Sequence, residues 1–595
     1  MSNKKQKNSG VSADREEIRR HSLSHIMAAA VLELWPKVKF AIGPAIENGF
    51  YYDFDFGKGK IGEEDLIRIE KKMEEIIKND LKFEKFELDI EEALAREKKV
   101  GQTYKVDLIK ELKAKGEKKV SYYRLGDFED LCRGPHIKSS GIVKTNAFKL
   151  TKLAGAYWRG DEKNKMLTRI YGVAFPDPKE LRRYLAMLEE AGKRDHRKLG
   201  KELDLFCFSD LVGPGLPLFT PKGTIIIDEL RKHIEKVCSN YGFQKVITPH
   251  LAKIDLYKLS GHAQKFKEEL FHVSSGRGHE FVIKPVQCPH QTQIFASQPR
   301  SYRDLPIRYM ESEKQYRAEK TGEVGGLNRV YAITVEDGHT FCRLDQVKDE
   351  IKILVNIIKD FYSALGMWGK HWVSLSVRDY DHPEKYIGES KDWDKCEEIL
   401  EEVSKEMKLG AKRVEGEAAL YGPKLDFMFR DALGKEIQIP TVQLDFATAK
   451  RFGLTYINEK GKEEQPVMVH RAILGSYERF LVLLIEHYGG AFPVWLSPVQ
   501  VKIISVGEKH IKYCFELAEE FKKNDIRIEV DDGNETVGNK IRKAVNEKVP
   551  YMLVIGDKEI NSDKLTVRDR GEKQTRTISK NGFIKEVRKK IEEKK

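Results

Sequence analysis

The sequence has no long uninterrupted apolar run and few cysteines. None of its apolar stretches approaches the roughly 18 residues that a membrane-spanning helix needs, so we expect no membrane association. Seven scattered cysteines without regular spacing argue against a disulfide framework and predict a reducing, cytoplasmic environment. The polar N-terminal segment also lacks the apolar core of a signal peptide, and residues 1–15 are expected to form a disordered tail.

Length and charge indicate a multidomain protein. The 595 residues are too many for one hydrophobic core, and a composition of 40% hydrophobic and 34% charged residues is typical of globular domains. The net charge of +12 favours a polyanionic partner such as nucleic acid. A lysine-rich surface also serves solubility, so charge alone leaves both interpretations open.

A β-hairpin is predicted near the middle of the chain. Apolar and polar residues alternate over 308–317 and 328–342, on either side of a Gly-rich turn. Arg317 and Arg329 could face one side of this hairpin, where guanidinium groups clamp phosphates. Glu319 would share the strand face of Arg317 and would suit an adenine amino group. An ordinary solvated hairpin with surface ion pairs is the alternative.

Histidine and cysteine form one possible cluster in the N-terminal third. His21 and His25 lie four residues apart on a predicted helix and so share one face. The glutamate that a zinc protease needs after the first histidine is replaced by Ser22. Cys132 and His136 flank a rigid Arg-Gly-Pro turn. Together these side chains could bind a metal or position a water for ester hydrolysis, and unconnected surface or core residues are the alternative.

A second possible cluster involves Cys288, His339 and His470. Each lies where the sequence predicts a strand or a loop. Two imidazoles and one thiolate could supply three ligands of a zinc ion with its fourth position open. Their separation in sequence is far beyond any local zinc signature, so the residues alone favour simple burial in the core.

Hydrophobic periodicity predicts the remaining organisation. After residue 497, short β-branched strands alternate with helices, which indicates a small α/β domain with a largely parallel sheet. Helices are predicted over 16–35, 63–79, 177–201, 224–241, 511–524 and 536–546.

Nine segments together resemble the threonyl-tRNA synthetase family: RHSLSH, CRGPH, GAYWRGD, RDHRKLGKELDLF, SYRDLP, YGPKLDF, TVQLDF, HRAILGSYERF and VPYMLVIGDKE. The resemblance covers nearly the whole chain from about residue 16. It implies an α+β multidomain fold that lacks the N-terminal β-grasp (TGS) domain common in bacterial members. The implied parts are a tail (1–15), an α+β editing domain (16–176), a linker helix (177–204), a class II catalytic domain built on an antiparallel sheet (205–496) and an α/β anticodon-binding domain (497–595).

The resemblance further implies ATP-dependent attachment of L-threonine to tRNA(Thr) through threonyl-adenylate, with hydrolysis of mischarged seryl-tRNA(Thr). One zinc ion per chain, on Cys288, His339 and His470, would receive the amino and hydroxyl groups of threonine. Magnesium would enter with ATP. A homodimer in the cytoplasm is the family expectation.

The same resemblance assigns roles to individual residues. Catalysis would use Arg317, Arg329 and Arg479, and ATP would contact these together with Glu319, Ile333 and Gln438. Threonine would contact Asp337, Tyr421 and Gln443. Editing would use His21, His25, Cys132, His136, Asp130 and Lys105, and the anticodon would contact Asn534, Glu559 and Arg568.

Four positions depart from the family pattern. Ile333 stands where an aromatic residue usually stacks on adenine, and Val335 stands where an amide is common. After Cys288-Pro289 the usual Gly-His is replaced by His290-Gln291. Three alternatives stay open: a non-catalytic RNA-binding regulator, a related enzyme that charges serine or proline, and a metal-dependent editing cluster.

Overall fold

The computed structural model describes residues 4–320, 322–431 and 434–595, with the backbone alone over 4–14. The chain divides into two compact units, Met1–Glu189 and Glu190–Lys595. Among the helices of the described residues, none is long and apolar enough to cross a membrane.

The first unit contains two antiparallel sheets. The larger has the strand order β1-β3-β8-β7 with β2 added beside β3, and the smaller has the order β4-β5-β6. Its strands are β1 (Lys39–Phe40), β2 (Ala45–Ile46), β3 (Gly49–Asp55), β4 (Phe83–Asp89), β5 (Lys119–Leu125), β6 (Phe128–Leu131), β7 (Phe148–Tyr157) and β8 (Met166–Ala174). Its helices are α1 (Lys4–Leu34), α2 (Glu63–Lys78), α3 (Ile90–Lys99) and α4 (Thr103–Ala114), and α5 (Pro178–Arg194) runs across the boundary to the second unit.

Helices α1 and α2 form the core of this unit with strands of the larger sheet. On α2, acidic residues in the first turn favour the helix N-terminus, and the apolar residues recur at helical spacing. On α1, Leu23, Ile26 and Met27 are completely buried in the same cluster. This packing fixes the face of α1 that carries His21 and His25.

The second unit begins with the predicted class II core. An eight-stranded sheet has the order β11-β15-β16-β23-β20-β19-β17-β18, antiparallel except at its two edge pairs. The strands are β9 (Phe206–Cys207), β10 (Leu218–Phe219), β11 (Gln244–Lys245), β12 (Leu251–Ala252), β13 (His272–Ser274), β14 (Glu280–Ile283), β15 (Ile307–Tyr316), β16 (Ala332–Cys342), β17 (Trp372–Val377), β18 (Lys412–Glu415), β19 (Lys424–Arg430), β20 (Glu436–Asp445), β21 (Tyr456–Ile457), β22 (Glu463–Glu464) and β23 (Val467–Ser476).

The helices of this core cover the sheet. Buried residues of α7, α11, α12 and α14 share one hydrophobic cluster with the sheet strands. The helices are α6 (His196–Glu202), α7 (Pro221–Asn240), α8 (Ile254–Ser260), α9 (His262–Lys265), α10 (Cys288–Ala296), α11 (Val347–Ala364), α12 (Ser390–Glu406), α13 (Ala447–Arg451) and α14 (Tyr477–Tyr488).

The C-terminal part is the expected α/β domain. Its sheet has the order β25-β24-β26-β27-β28, in which β24 pairs in parallel with β25 and β26 whereas β27 and β28 are antiparallel. The elements are β24 (Val501–Ser505), β25 (Ile528–Asp531), β26 (Tyr551–Ile555), β27 (Lys564–Asp569), β28 (Thr575–Ser579), α15 (Glu508–Lys522), α16 (Val537–Asn546), α17 (Asp557–Ile560) and α18 (Lys580–Glu592). The predicted α+β fold class is thus confirmed, with a sheet that is half parallel.

Three details of the prediction are wrong. Helix α1 begins at Lys4, where a disordered tail was expected, because extending a helix costs less than nucleating one; residues 1–3 lie outside the described residues. The linker helix is broken at Asp195, whose side chain caps α6 by accepting from the Arg197 backbone N–H. The second hairpin strand begins at Ala332 and not at residue 328, since a loop occupies the preceding residues. The domain boundaries drawn from the resemblance stay predictions.

Candidate active site

Cys288, His339 and His470 converge in the second unit. All three are buried, and their ligand atoms lie within 4.8 Å of one another. His339 on β16 is the direct cross-strand partner of His470 on β23, and Cys288 is the first residue of α10. Sheet register and one helix start therefore assemble a site from residues that are far apart in sequence.

The environment of the two imidazoles fits a metal. His339 Nδ1 lies 2.7 Å from Gln291 Oε1, and His470 Nε2 lies 2.8 Å from Asp445 Oδ2. Each ring thus donates from one nitrogen and keeps the other for a metal, the usual arrangement of metal-bound histidine. Burial lowers the pKa of His339 well below its ordinary value, which keeps this ring neutral. One thiolate and two imidazoles form a donor set that zinc accepts.

The predicted threonine contacts lie around this trio. Asp337 Oδ1 is 3.9 Å from His339 Nε2, and burial raises the pKa of Asp337 to about 6. Tyr421 stacks on His470 with ring centroids 4.4 Å apart. Its hydroxyl donates to Gln443 Oε1 at 2.6 Å. The structure therefore brings all three predicted contacts to one place.

A cleft of about 450 Å³ opens beside the trio. Its walls include Arg317, Tyr421 and Gln443, together with His262 and Lys424, which sequence reasoning missed. Burial, followed by the charges of His470 and Arg317, lowers the pKa of His262 to about 4. The cleft thus joins the possible metal site to the first of the predicted phosphate-binding arginines.

The three predicted arginines lie close enough for their charges to interact. Desolvation and then the positive charges of Arg317 and Arg329 lower the pKa of Arg479. Arg479 donates two hydrogen bonds of 3.3 Å to the carbonyl oxygen of Asn328. Arg317 donates to the carbonyl oxygen of Pro285 at 3.4 Å. Neutral acceptors leave both of these charges available to an anion such as a polyphosphate.

Arg329 has a different environment. Its Nη2 lies 2.6 Å from a Glu319 carboxylate oxygen and 2.7 Å from one of Glu323. The prediction that Glu319 shares a strand face with Arg317 is therefore wrong, because β15 ends at Tyr316 and the chain turns before both residues. In this structure Glu319 binds the neighbouring arginine.

The other predicted nucleotide contacts lie on the central sheet. Ile333 is a half-buried residue of β16 opposite Gln315 of β15, and Val335 lies opposite Glu313. Gln438 Nε2 donates to Asp426 Oδ1 at 2.6 Å.

A second cluster lies in the first unit. The ligand atoms of His21, His25, Cys132 and His136 lie within 4.8 Å of one another. Cys132 Sγ is 3.4 Å from His21 Nε2 and 3.3 Å from His136 Nε2. Burial raises the pKa of Cys132 to about 11 and lowers that of His136, so that a neutral thiol lies between neutral imidazoles. Such imidazoles can accept a proton from a water molecule.

Asp130 connects this cluster to the protein interior. It forms a buried ion pair with Lys105, accepts from the Tyr52 hydroxyl at 2.5 Å and lies 3.4 Å from His25 Nδ1. Tyr52 was not predicted, since a tyrosine in a strand of aromatic residues carries no signal of its own. The structure thus places both Asp130 and Lys105 beside the histidines.

Ser22 has a role that the sequence did not reveal. Its hydroxyl donates to the Ile18 carbonyl oxygen at 2.8 Å and lies 3.1 Å from His136 Nδ1. Because the single hydroxyl proton is already used, His136 donates from Nδ1 to Ser22. Its Nε2 is therefore the acceptor that faces Cys132.

The predicted anticodon contacts lie in the C-terminal domain. Asn534 is exposed in the loop after β25. Glu559 accepts from the Gly556 backbone N–H at 3.0 Å and from the Thr566 hydroxyl at 2.8 Å. Arg568 donates to the Glu572 carbonyl oxygen at 2.9 Å. Glu559 therefore stabilises its own loop in this structure.

Comparison with family models identifies the class. Residues 271–488 match the tRNA synthetase class II core domain (G, H, P, S and T). Residues 500–590 match an anticodon-binding domain, and residues 120–171 match the threonyl and alanyl tRNA synthetase second additional domain. The eight-stranded sheet with its convergent arginines is thus a class II aminoacyl-tRNA synthetase core.

Similar proteins identify the family. A threonine–tRNA ligase of Cytophaga hutchinsonii is 44% identical over 566 residues, which cover 95% of this chain and 87% of the relative. One of Geobacillus kaustophilus is 46% identical over 569 residues, covering 96% and 86%. The crystal structure of the RNA binding domain of threonyl-tRNA synthetase from Cryptosporidium parvum Iowa II matches with a TM-score of 0.63 and 33% identity, over 66% of this chain and 98% of that one. The chain belongs to the threonine–tRNA ligase family, which confirms the resemblance.

Proposed function

We propose that this protein attaches L-threonine to tRNA(Thr) through threonyl-adenylate and hydrolyses mischarged seryl-tRNA(Thr). The observation that carries the proposal is the buried trio Cys288, His339 and His470 beside a cleft lined by Arg317. Membership of the family supports the same reaction. A non-catalytic RNA-binding regulator is not favoured, because the arginines and the trio are all present.

In the first step the threonine carboxylate displaces pyrophosphate from ATP. Arg317 would bind the α-phosphate and Arg479 the γ-phosphate, where preorganised positive charge stabilises the transition state. The phosphates of ATP would have to compete with Glu319 and Glu323 for Arg329. Of the three arginines, Arg329 is therefore the least available for phosphate binding. Magnesium would enter with ATP, bound chiefly by phosphate oxygens.

Threonine would lie against the trio. Cys288, His339 and His470 would hold a zinc ion, which when bound supplies a Lewis acid for the amino and hydroxyl groups of threonine. Asp337 would accept a hydrogen bond from the threonine hydroxyl. Valine lacks that hydroxyl and would leave this acceptor unpaired, which disfavours valine by several orders of magnitude.

Serine requires the second site. Removal of one methyl group changes binding by only about 1–3 kcal/mol, so the first site admits serine at a rate that needs correction. His21 or His136 would take a proton from a water that attacks the seryl ester, with Cys132 between them as a neutral hydrogen-bonding group. The ester C–O bond then breaks, serine is released, and the same histidine returns the proton to the terminal ribose hydroxyl of the tRNA. Lys105 and Asp130 would hold His25 in place.

The assembly is also part of the proposal. The three domains would be residues 16–176, 205–496 and 497–595, with the linker helix at 177–204 between the first two. Asn534, Glu559 and Arg568 would contact the anticodon. We propose a homodimer that acts in the cytoplasm, where its tRNA substrate is used.

Exchange of pyrophosphate into ATP tests the first step. Threonine should support exchange, valine hardly any, and serine an intermediate rate. Equal rates with threonine and valine would rule out selection by the hydroxyl. Metal analysis should give about one zinc per chain; a value near two would mean that the His21 cluster is metallated, which is the alternative for editing.

A further inference from the structure

A chain of buried polar side chains runs from the trio into the interior. Gln291 Oε1 lies 2.7 Å from His339 Nδ1, and Gln291 Nε2 lies 3.5 Å from Glu311 Oε2. Glu311 accepts from the Thr248 backbone N–H at 2.6 Å and lies 3.7 Å from Lys284 Nζ. Gln291 and Lys284 are completely buried and Glu311 is 2% exposed. Groups that deep are retained only where their hydrogen bonds are satisfied.

The direction of each hydrogen bond follows from the Glu311 carboxylate. Besides its amide contact, Thr248 donates its hydroxyl to Glu311 at 2.9 Å. Lys284 in turn donates to the Thr248 hydroxyl oxygen at 3.1 Å. Surrounded by donors, the carboxylate acts as an acceptor, so Gln291 turns its NH₂ toward Glu311 and its carbonyl oxygen toward His339.

That orientation selects one tautomer of His339. A carbonyl oxygen only accepts, so the ring proton of His339 lies on Nδ1 and Nε2 keeps its lone pair. Nε2 is the nitrogen free to bind a metal together with Cys288 and His470. In the opposite orientation the amide oxygen would face the Glu311 carboxylate, and two acceptors form no hydrogen bond.

We propose that Gln291, oriented by Glu311, is a positioning residue that fixes His339 as a metal ligand. The inference rests on the proposed function, because the metal site is itself proposed there. Gln291 stands where the family pattern has histidine, and a histidine preserves the same polarity: one ring nitrogen accepts from His339 and the other donates to Glu311. Glutamine and histidine can therefore both serve at position 291, because each offers one acceptor to His339 and one donor to Glu311.

His470 is held differently. Its Nε2–H donates to a carboxylate, Asp445, which itself accepts from the backbone N–H groups of Ala447 and Thr448 at 2.7 and 2.8 Å. A carboxylate partner raises the basicity of a ligand more than a neutral amide does. Of the two imidazoles, His339 is therefore the weaker metal ligand. Its binding to a metal depends more on a fixed orientation of the ring.

The test measures metal binding without ATP or tRNA. The full-length protein is stripped of metal, and its affinity for Zn²⁺ is determined by competition with a chromogenic chelator; Co²⁺ is added separately for its visible spectrum. Gln291→Met keeps the length of the side chain but removes both hydrogen bonds, and loss of such an outer partner should weaken Zn²⁺ binding about 10- to 100-fold. Gln291→His should restore affinity and spectrum.

A matched control lies on the same helix. Gln293 is exposed, and Gln293→Met should change neither the affinity nor the spectrum. If Gln291→Met fails to fold, Gln291→Asn replaces it, because the amide keeps its polarity but is one methylene too short to reach both partners.

The outcomes separate this inference from the proposed function. Unchanged Zn²⁺ affinity and Co²⁺ spectrum in Gln291→Met or Gln291→Asn would overturn the positioning role while leaving the metal site intact. Loss of Zn²⁺ affinity in both Gln291→Met and Gln291→His would also overturn the positioning role. The metal site would then depend on the shape of the side chain at position 291 and not on its hydrogen bonds. A wild-type protein without affinity for Zn²⁺ would instead refute the proposed metal, and the inference with it.

Discussion

Tyr421 stacks on His470 with ring centroids 4.4 Å apart and planes inclined by 16°. The tyrosine hydroxyl also donates to Gln443 Oε1 at 2.6 Å. One side chain therefore connects a proposed metal ligand with the wall of the cleft. The face of the His470 ring is held by Tyr421 and its edge by Asp445.

Tyr421→Phe should separate these two contacts. Phenylalanine keeps the stacking on His470 and loses only the hydrogen bond to Gln443, which is worth about 1 kcal/mol. We expect the KM for threonine to rise about fivefold with zinc content unchanged. Pyrophosphate exchange and metal analysis measure the two quantities. Tyr421→Ala, which removes the stacking as well, should reduce both; an unchanged KM in Tyr421→Phe would contradict the pocket assignment.

Glu323→Gln should improve ATP binding. The substitution removes one of the two carboxylates that hold Arg329, and an exposed ion pair of this kind is worth about 0–1 kcal/mol. The KM for ATP should therefore fall by up to about fivefold, most clearly at low ionic strength.

Glu319→Gln distinguishes two roles of the neighbouring carboxylate. If Glu319 only competes for Arg329, this substitution should also lower the KM for ATP in the same exchange assay. A higher KM would instead support the adenine contact that the resemblance implies.

Ser22→Ala should impair editing without affecting charging. His136 Nδ1 would lose its acceptor, and a buried donor without a partner costs about 1–3 kcal/mol, so its Nε2 would no longer be held toward Cys132. Deacylation of seryl-tRNA should slow by at least about fivefold, while threonine-dependent pyrophosphate exchange stays the same.

Ser24→Ala is the matched control for Ser22→Ala. Ser24 lies on the same helix and donates to the carbonyl oxygens of His21 and Gly43. It has no hydrogen bond to a side chain of the cluster among the described residues, so deacylation should continue at the wild-type rate. Equal deacylation by both variants would remove Ser22 from the mechanism.

His233 should make the second unit sensitive to acid. Burial, then the charges of Lys594 and Lys236, lowers the pKa of His233 to about 4, and its ring packs against Phe361 and Trp495. Because the unfolded chain takes up this proton near pH 6.5 and the folded one only near 4, stability falls as the pH drops through that window. The loss is about 2 kcal/mol between pH 7 and pH 5.

His233→Phe tests this prediction. Phenylalanine fills the same aromatic site and does not titrate, so the free energy of unfolding should decline less steeply from pH 7 to pH 5. Urea unfolding at several pH values measures the slope. A slope identical to that of the wild type would show that His233 does not set the acid sensitivity.

Local patterns predicted the elements that local forces control. The predicted helix over 224–241 is α7 (Pro221–Asn240), and the strands after residue 497 occur where β-branched residues cluster. Element ends were less predictable. The break at Asp195 depends on one capping side chain, and the end of β15 before Glu319 depends on how the following loop turns.

The family, the fold class and the residue types of both clusters can be inferred from the sequence, because long specific segments and hydrophobic periodicity are local features of the chain. Which ring nitrogen is free in His339, His470 and His136 depends on the folded structure. Gln291 and Glu311 orient His339, Asp445 orients His470, and Ser22 orients His136. A hydrogen bond depends on distance and direction in space, and the partners that set these tautomers lie on separate strands and helices that only folding brings together.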